Sequence, residues 1–146
     1  MKILCVCYGN ICRSPMAEGI LRRMLSEQNL DWQVDSAGIS AEHTGEDMHR
    51  NTRKILERHS AAFHHQARQV RPEDAEFDLI LAATKYQAHQ LRQRFPKANI
   101  QPMLKDMDVP DPWYGTFADY EAVYALLEPA IEGLLADLVN RAKSTP

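Results

Sequence analysis

Apolar residues along this chain alternate between short unbroken runs and longer stretches where they return every three or four positions. The first run, residues 2–7 (KILCVC), is closed by Gly9 and predicts a strand buried on both faces. After it, Met16, Ile20, Leu21, Met24 and Leu25 share one helical face. That spacing predicts a helix opened by Pro15 and reaching residue 28. Residues 32–37 read as a second strand ended by Gly38, and residues 48–58 as a helix carrying Ile55 and Leu56. Residues 63–72 are polar and show no period. Residues 77–83 (FDLILAA) predict a third buried strand. Thr84 then caps a helix that ends at Phe95, before Pro96. Residues 99–104 form a fourth strand, followed by a loop rich in Asp and Pro over residues 105–115. A last helix spans residues 117–141, with Tyr120, Val123, Tyr124, Leu127, Ile131, Leu134, Leu135 and Leu138 in register. Pro129 inside it predicts a kink or a break.

Strands that alternate with helices imply an α/β fold with a parallel sheet covered on both faces. The expected architecture is one domain, residues 1–146. It has a four-stranded parallel sheet in three layers, flavodoxin-like or Rossmann-like. Sites in such sheets lie beyond the carboxyl ends of the strands, which singles out the loop after Cys7 and the loop after Leu104.

Composition narrows the class. The 146 residues are 45% hydrophobic and 25% charged, which suits one globular core and excludes a disordered chain, a coiled coil or a fibrous repeat. No run approaches 18 apolar residues, so no membrane insertion is expected. The apolar run at residues 3–7 is too short for a secretion signal, and the expected location is the cytoplasm. A net charge of −3 favours no nucleic acid, and the arginines and histidines from His49 to Arg71 read as a solvated helix face with loop charges. The three cysteines, Cys5, Cys7 and Cys12, sit together near the start, a pattern for local chemistry rather than a disulfide framework.

The loop Cys7-Tyr8-Gly9-Asn10-Ile11-Cys12-Arg13-Ser14-Pro15 suits an oxyanion. Gly9 and Asn10 accept unusual backbone angles, so successive N–H groups can turn inward. The following helix adds its amino-terminal dipole, and Arg13 adds a planar fork for two phosphoryl oxygens. A thiol at the start of such a loop is held as a thiolate nucleophile, and Ser14 can donate a hydrogen bond to it. Cys5 reads as a packed strand residue.

The stretch CVCYGNICRSPMAEG resembles the signature of the low-molecular-weight protein tyrosine phosphatases, in their bacterial form. Asp111-Pro112-Trp113-Tyr114-Gly115 is similar to that family's acid motif, and Ser36-Ala37-Gly38 and His65-Gln66-Ala67-Arg68-Gln69 also resemble family segments. The resemblance implies metal-independent, cofactor-free hydrolysis of phosphotyrosine through a cysteinyl-phosphate. Cys7 would be the nucleophile, Arg13 and the loop N–H groups the holders of the phosphoryl oxygens, and Asp111 the general acid. It further implies a brace for the loop from Asn10, Ser36 and His65, an aromatic wall from Trp113 and Tyr114, and Tyr8 at the pocket mouth. Gly9, Ile11, Cys12 and Ser14 complete the phosphate loop, and Asp106 and Asp108 are read as solvated or structural. Implied partners are phosphotyrosine proteins and, by the habit of bacterial members, a tyrosine kinase. The resemblance also implies reversible oxidation of Cys7 with Cys12 as its partner.

The match has departures. Glu42 stands where the family usually has an aromatic residue, Thr84 where it has an acidic one, and His49 and Asn51 where it has Asp and Arg. Arsenate reductase, a redox enzyme with a similar loop, is the alternative. It needs relay cysteines downstream, and none follows Cys12. A metal protein built on Cys5, Cys7, His64 and His65 lacks ligand spacing.

Overall fold

The computed structural model describes residues 1–144. Its strands are β1 (Lys2–Cys7), β2 (Gln33–Gly38), β3 (Leu79–Ala82) and β4 (Ile100–Pro102). Its helices are α1 (Arg13–Glu27), α2 (Arg50–Arg58), α3 (Lys85–Arg94) and α4 (Phe117–Ser144), with a 3-10 turn over Pro72–Glu76. Among the described residues the strands form one four-stranded sheet in the order β2-β1-β3-β4, with every pairing parallel.

Strand periodicity sorts the core into two layers. Ile3, Cys5 and Cys7 of β1 point to the face covered by α1, α2 and α4. Leu4 and Val6 point to the opposite face with Ile80 and Ala82, under Ala88, Leu91 and Phe95 of α3 and its cap. The chain leaves β1 to one side for β2 and later continues from β3 to the other side. Right-handed crossovers therefore put α1 and α3 on opposite faces. That reversal opens a crevice at the carboxyl ends of β1 and β3, where the loop after Cys7 lies.

The helix starts differ from the sequence expectation. Helix α1 begins at Arg13, two residues before Pro15, with Cys12 as its cap. Pro15 is still harmless, because the first four N–H groups of a helix have no intrahelical acceptor. Helix α2 begins at Arg50, because the His49 ring accepts the Asn51 N–H (3.0 Å) and so acts as the cap. Thr84 caps α3 as its sequence implies, by accepting the Gln87 N–H (3.0 Å).

Helix α4 runs unbroken through Pro129. Its buried stripe from Tyr120 to Leu138 packs against the core on both sides of the proline. Pro129 itself is exposed, where water can satisfy the carbonyl that loses its donor. The aperiodic stretch at residues 63–72 runs along the edge of β2. Gly38 N–H donates to Arg68 O and Val70 N–H to Gly38 O, both at 2.8 Å. None of these helices is long and apolar enough to cross a membrane.

Candidate active site

The loop between β1 and α1 is built around Asn10, which sits fully buried in the left-handed region (φ 61°). Asparagine tolerates that conformation better than other side-chain-bearing residues. Its amide donates both protons, to Ser14 Oγ (2.8 Å) and Ser36 Oγ (2.9 Å). Its Oδ1 accepts from Arg68 N–H (3.0 Å), and its backbone carbonyl receives His65 Nε2–H (2.8 Å). The carbonyl fixes the tautomer of His65, and burial holds that imidazole below its ordinary range, so it is neutral.

These bonds have a direction. Ser14 Oγ accepts from Asn10, so its own proton is free to point at Cys7 Sγ, 3.0 Å away. Asn10 N–H also donates to Cys7 Sγ (3.3 Å). The sulfur thus sits as an acceptor of two hydrogen bonds beside the amino terminus of α1. Ser36 in turn donates to Glu18 Oε1 (2.6 Å), while Arg22 Nε donates to Glu18 Oε2 (2.7 Å). Burial pushes the Glu18 carboxyl above its usual range, against the pull of Ser36 and Arg22.

Glu18, with Arg22 and Arg68, belongs to this network and is not among the site residues selected from the sequence. It stands four residues after Ser14, one helical turn on, among the buried residues of α1. A glutamate inside a helix ordinarily reads as solvent-facing, and the signal that could have marked this one is its place beside Leu25, seven residues on, at the edge of the apolar stripe.

Arg13 is buried, lines the same cavity as its own loop, and bridges to the second loop. Its Nη1 donates to Val109 O (3.1 Å), and its Nη2 lies 3.7 Å from Asp111 Oδ2. Val109 N–H is itself bonded to Ala83 O (2.9 Å) at the end of β3, which ties the second loop to the sheet. Asp111 is half exposed and accepts the Trp113 N–H (3.1 Å), a local turn that holds its carboxylate. Asp108 accepts the Lys85 N–H (2.8 Å) at the start of α3 and is structural; Asp106 is exposed.

Trp113 packs against His43 (centroids 5.2 Å apart) and His49 (5.7 Å), and His49 stacks on the buried Tyr120 (4.9 Å). Tyr114 is 97% exposed at the rim. A cavity of about 280 Å³ is enclosed by Cys7, Tyr8, Gly9, Ile11, Cys12, Arg13, Glu42, His43, Asp111, Trp113 and Tyr114. The sequence-selected nucleophile, cradle, acid and walls thus share one cavity, while Asn10, Ser14, Ser36 and His65 lie behind it as the brace. Glu42 and His43 complete the wall. A larger groove of about 790 Å³ opens at the other end of the strands. Its lining mixes Lys2, Arg22 and Arg71 with Asp35, Glu73 and Glu76 and holds no nucleophilic thiol.

The other two cysteines differ from Cys7. Cys5 is fully buried in β1, and burial raises its thiol well above the ordinary range. Cys12 lies 3.5 Å from Tyr120 Oη, and burial pushes its thiol up to about 12. All three are free thiols.

The family model described as low molecular weight phosphotyrosine protein phosphatase matches residues 2–144. The human protein named low molecular weight phosphotyrosine protein phosphatase is 36% identical over 136 residues, which span 84% of this chain and 86% of that one. The crystal structure of a protein tyrosine phosphatase from Entamoeba histolytica superimposes with a TM-score of 0.91 at 32% identity, covering 97% of this chain and 99% of that chain. A Drosophila arginine phosphatase superimposes with a TM-score of 0.89 at 29% identity, covering 94% and 98%. Agreement that runs from the first strand to the end of the last helix, in sequence and in backbone, makes this chain a member of the low molecular weight phosphotyrosine protein phosphatase family.

Proposed function

We propose that this chain hydrolyses phosphotyrosine in proteins, with residues 1–146 acting as one catalytic domain. The observation that carries the reading is the Cys7 sulfur at the floor of the cavity, accepting two hydrogen bonds, with Arg13 and Asp111 at the same opening. The thiolate attacks phosphorus in line, forming the S–P bond as the P–O bond to the phenol breaks. Arg13 and the N–H groups at the start of α1 take up the charge of the equatorial oxygens. Asp111 gives its proton to the departing phenolate oxygen. In the second half a water attacks the phosphocysteine and passes a proton to Asp111, the S–P bond breaks, and inorganic phosphate leaves.

The walls favour an aryl group. Tyr8, Ile11 and Trp113 offer flat or apolar surface above the cradle. Cys7 is only 2% exposed, so a phosphate carried one phenyl ring away from the backbone reaches it better than one on a serine. Asn10, Ser36 and His65 serve as positioning residues that hold the loop. The partners on this reading are phosphotyrosine proteins of the cytoplasm and the tyrosine kinase that supplies them; nucleic acid is not among them.

The test is hydrolysis of an aryl phosphate and of phosphopeptides carrying phosphotyrosine, phosphoserine or phosphoarginine. Preference for phosphotyrosine, lost in Cys7→Ser, is expected. A dominant phosphoarginine or phosphoserine activity overturns the reading.

A further inference from the structure

Glu42 is an unusual wall for a cavity whose floor binds an anion. It lies on the segment after β2, which is fastened directly to the phosphate loop: Ile39 N–H donates to Cys7 O (3.0 Å) and Ser40 N–H to Tyr8 O (2.8 Å). Within that segment Ser40 Oγ accepts the Glu42 N–H (3.0 Å), and Thr44 N–H closes a turn onto Ala41 O (3.2 Å). Tyr8 Oη donates to Glu42 Oε1 (3.3 Å), so the phosphate loop itself aims the carboxylate across the mouth. The backbone that carries Glu42 is therefore fastened to the phosphate loop, and its carboxylate rests on Tyr8 at the rim.

The charges around it do not neutralise it. Arg13 is engaged with Val109 O and faces the floor, where a phosphoryl dianion takes its charge. His43 is shared between two carboxylates, Glu46 at 3.0 Å through Nδ1 and Glu42 at 4.0 Å through Nε2, so even a protonated ring leaves the group net negative. With substrate in place and Asp111 holding the proton it gives to the leaving group, Glu42 is the carboxylate left at the mouth beside the substrate's flanking residues.

The geometry points to Glu42 as a specificity-determining residue that selects phosphotyrosine sites with an arginine or lysine adjacent to the phosphotyrosine and rejects sites with an acidic neighbour. This rests on the phosphotyrosine reading above and adds the class of peptide. The side chain is 60% exposed, so the ion pair formed is a solvated one. Pairs of that kind change an equilibrium by on the order of 2- to 5-fold. Attraction of one peptide and repulsion of another compound to about 10-fold between arginine and aspartate neighbours.

The experiment compares kcat/KM for three phosphotyrosine peptides that differ only in the adjacent residue, Arg, Ala or Asp, placed before or after the phosphotyrosine. The order Arg, Ala, Asp is expected for the wild type at low salt, with the spread shrinking as salt shortens the screening length to about 3 Å near 1 M. Glu42→Gln collapses the spread to within about 2-fold and Glu42→Lys inverts the order. Equal rates on the three peptides in the wild type, or an unchanged spread in Glu42→Gln, overturn the inference while leaving the activity reading intact. Failure of the wild type on all three peptides overturns the activity reading instead.

Discussion

Removing the Asn10 side chain tests whether the brace holds the loop. Its amide makes three hydrogen bonds, to Ser14 Oγ, Ser36 Oγ and Arg68 N–H, and Asn10, Ser14 and Ser36 are all buried. A net hydrogen bond contributes about 1 kcal/mol, so Asn10→Ala loses about 3 kcal/mol from the network. Alanine must also hold the left-handed backbone (φ 61°), which costs about 1 kcal/mol more. The total of about 4 kcal/mol lowers Tm by about 10 °C for a chain of this size. Asn10→Gly loses the same network without the backbone penalty and is expected to melt a few degrees above Asn10→Ala. In both variants Ser14 loses the bond that aims its proton at Cys7, and a hydrogen bond to a charged group governs roughly a 10-fold or larger change in rate. Thermal melts followed by circular dichroism, with kcat on an aryl phosphate, measure both effects. A Tm loss under about 3 °C in Asn10→Ala, or Asn10→Gly melting below it, refutes the account of the brace.

Other variants probe separate links. Asp111→Asn is expected to lower kcat by roughly 10²–10⁴-fold for poor leaving groups and much less for a nitrophenolate; equal losses reassign Asp111 to structure. Gly38→Ala places a methyl 2.9 Å from Tyr8 O and 3.1 Å from the Gly9 carbonyl carbon, both backbone, so it displaces the phosphate loop and depresses kcat together with Tm. Normal kinetics in that variant contradict the close approach. Because the folded His65 is held below its ordinary value, its stabilisation is fully present above about pH 6.5 and is lost as pH falls through the lowered folded value. Tm of the wild type is therefore expected to fall more between pH 7.5 and 5.5 than that of His65→Gln, and parallel pH slopes exclude the effect. A Cys12 thiol near 12 attacks a sulfenic acid on Cys7 slowly at neutral pH and about tenfold faster per pH unit below that value. Recovery by a dithiol after peroxide is expected to improve with rising pH and to be poor in Cys12→Ser at every pH; recovery independent of Cys12 sinks that pairing.

What the sequence determined alone is what depends on near neighbours along the chain. The run from Cys7 to Ser14 encloses its anion site within eight consecutive residues, and its glycine, asparagine and arginine announce the chemistry wherever the loop is placed. The short apolar runs likewise announce parallel strands, and the stretch from Asp111 to Gly115 announces a turn that presents a carboxylate. Tertiary structure decided which distant side chains meet. The strand order β2-β1-β3-β4 carries Val109 to Arg13, the edge segment carries His65 to Asn10, and α4 carries Tyr120 to Cys12, a partner 108 residues away. The same packing makes Glu18 a buried support and Glu42 a cavity wall, and it keeps α4 whole across Pro129. The physical reason is that a hydrogen bond between buried groups, or a helix held by its apolar face, depends on what the rest of the chain places opposite it. Hydrophobic periodicity encodes which face turns inward and carries no information about the partner waiting there.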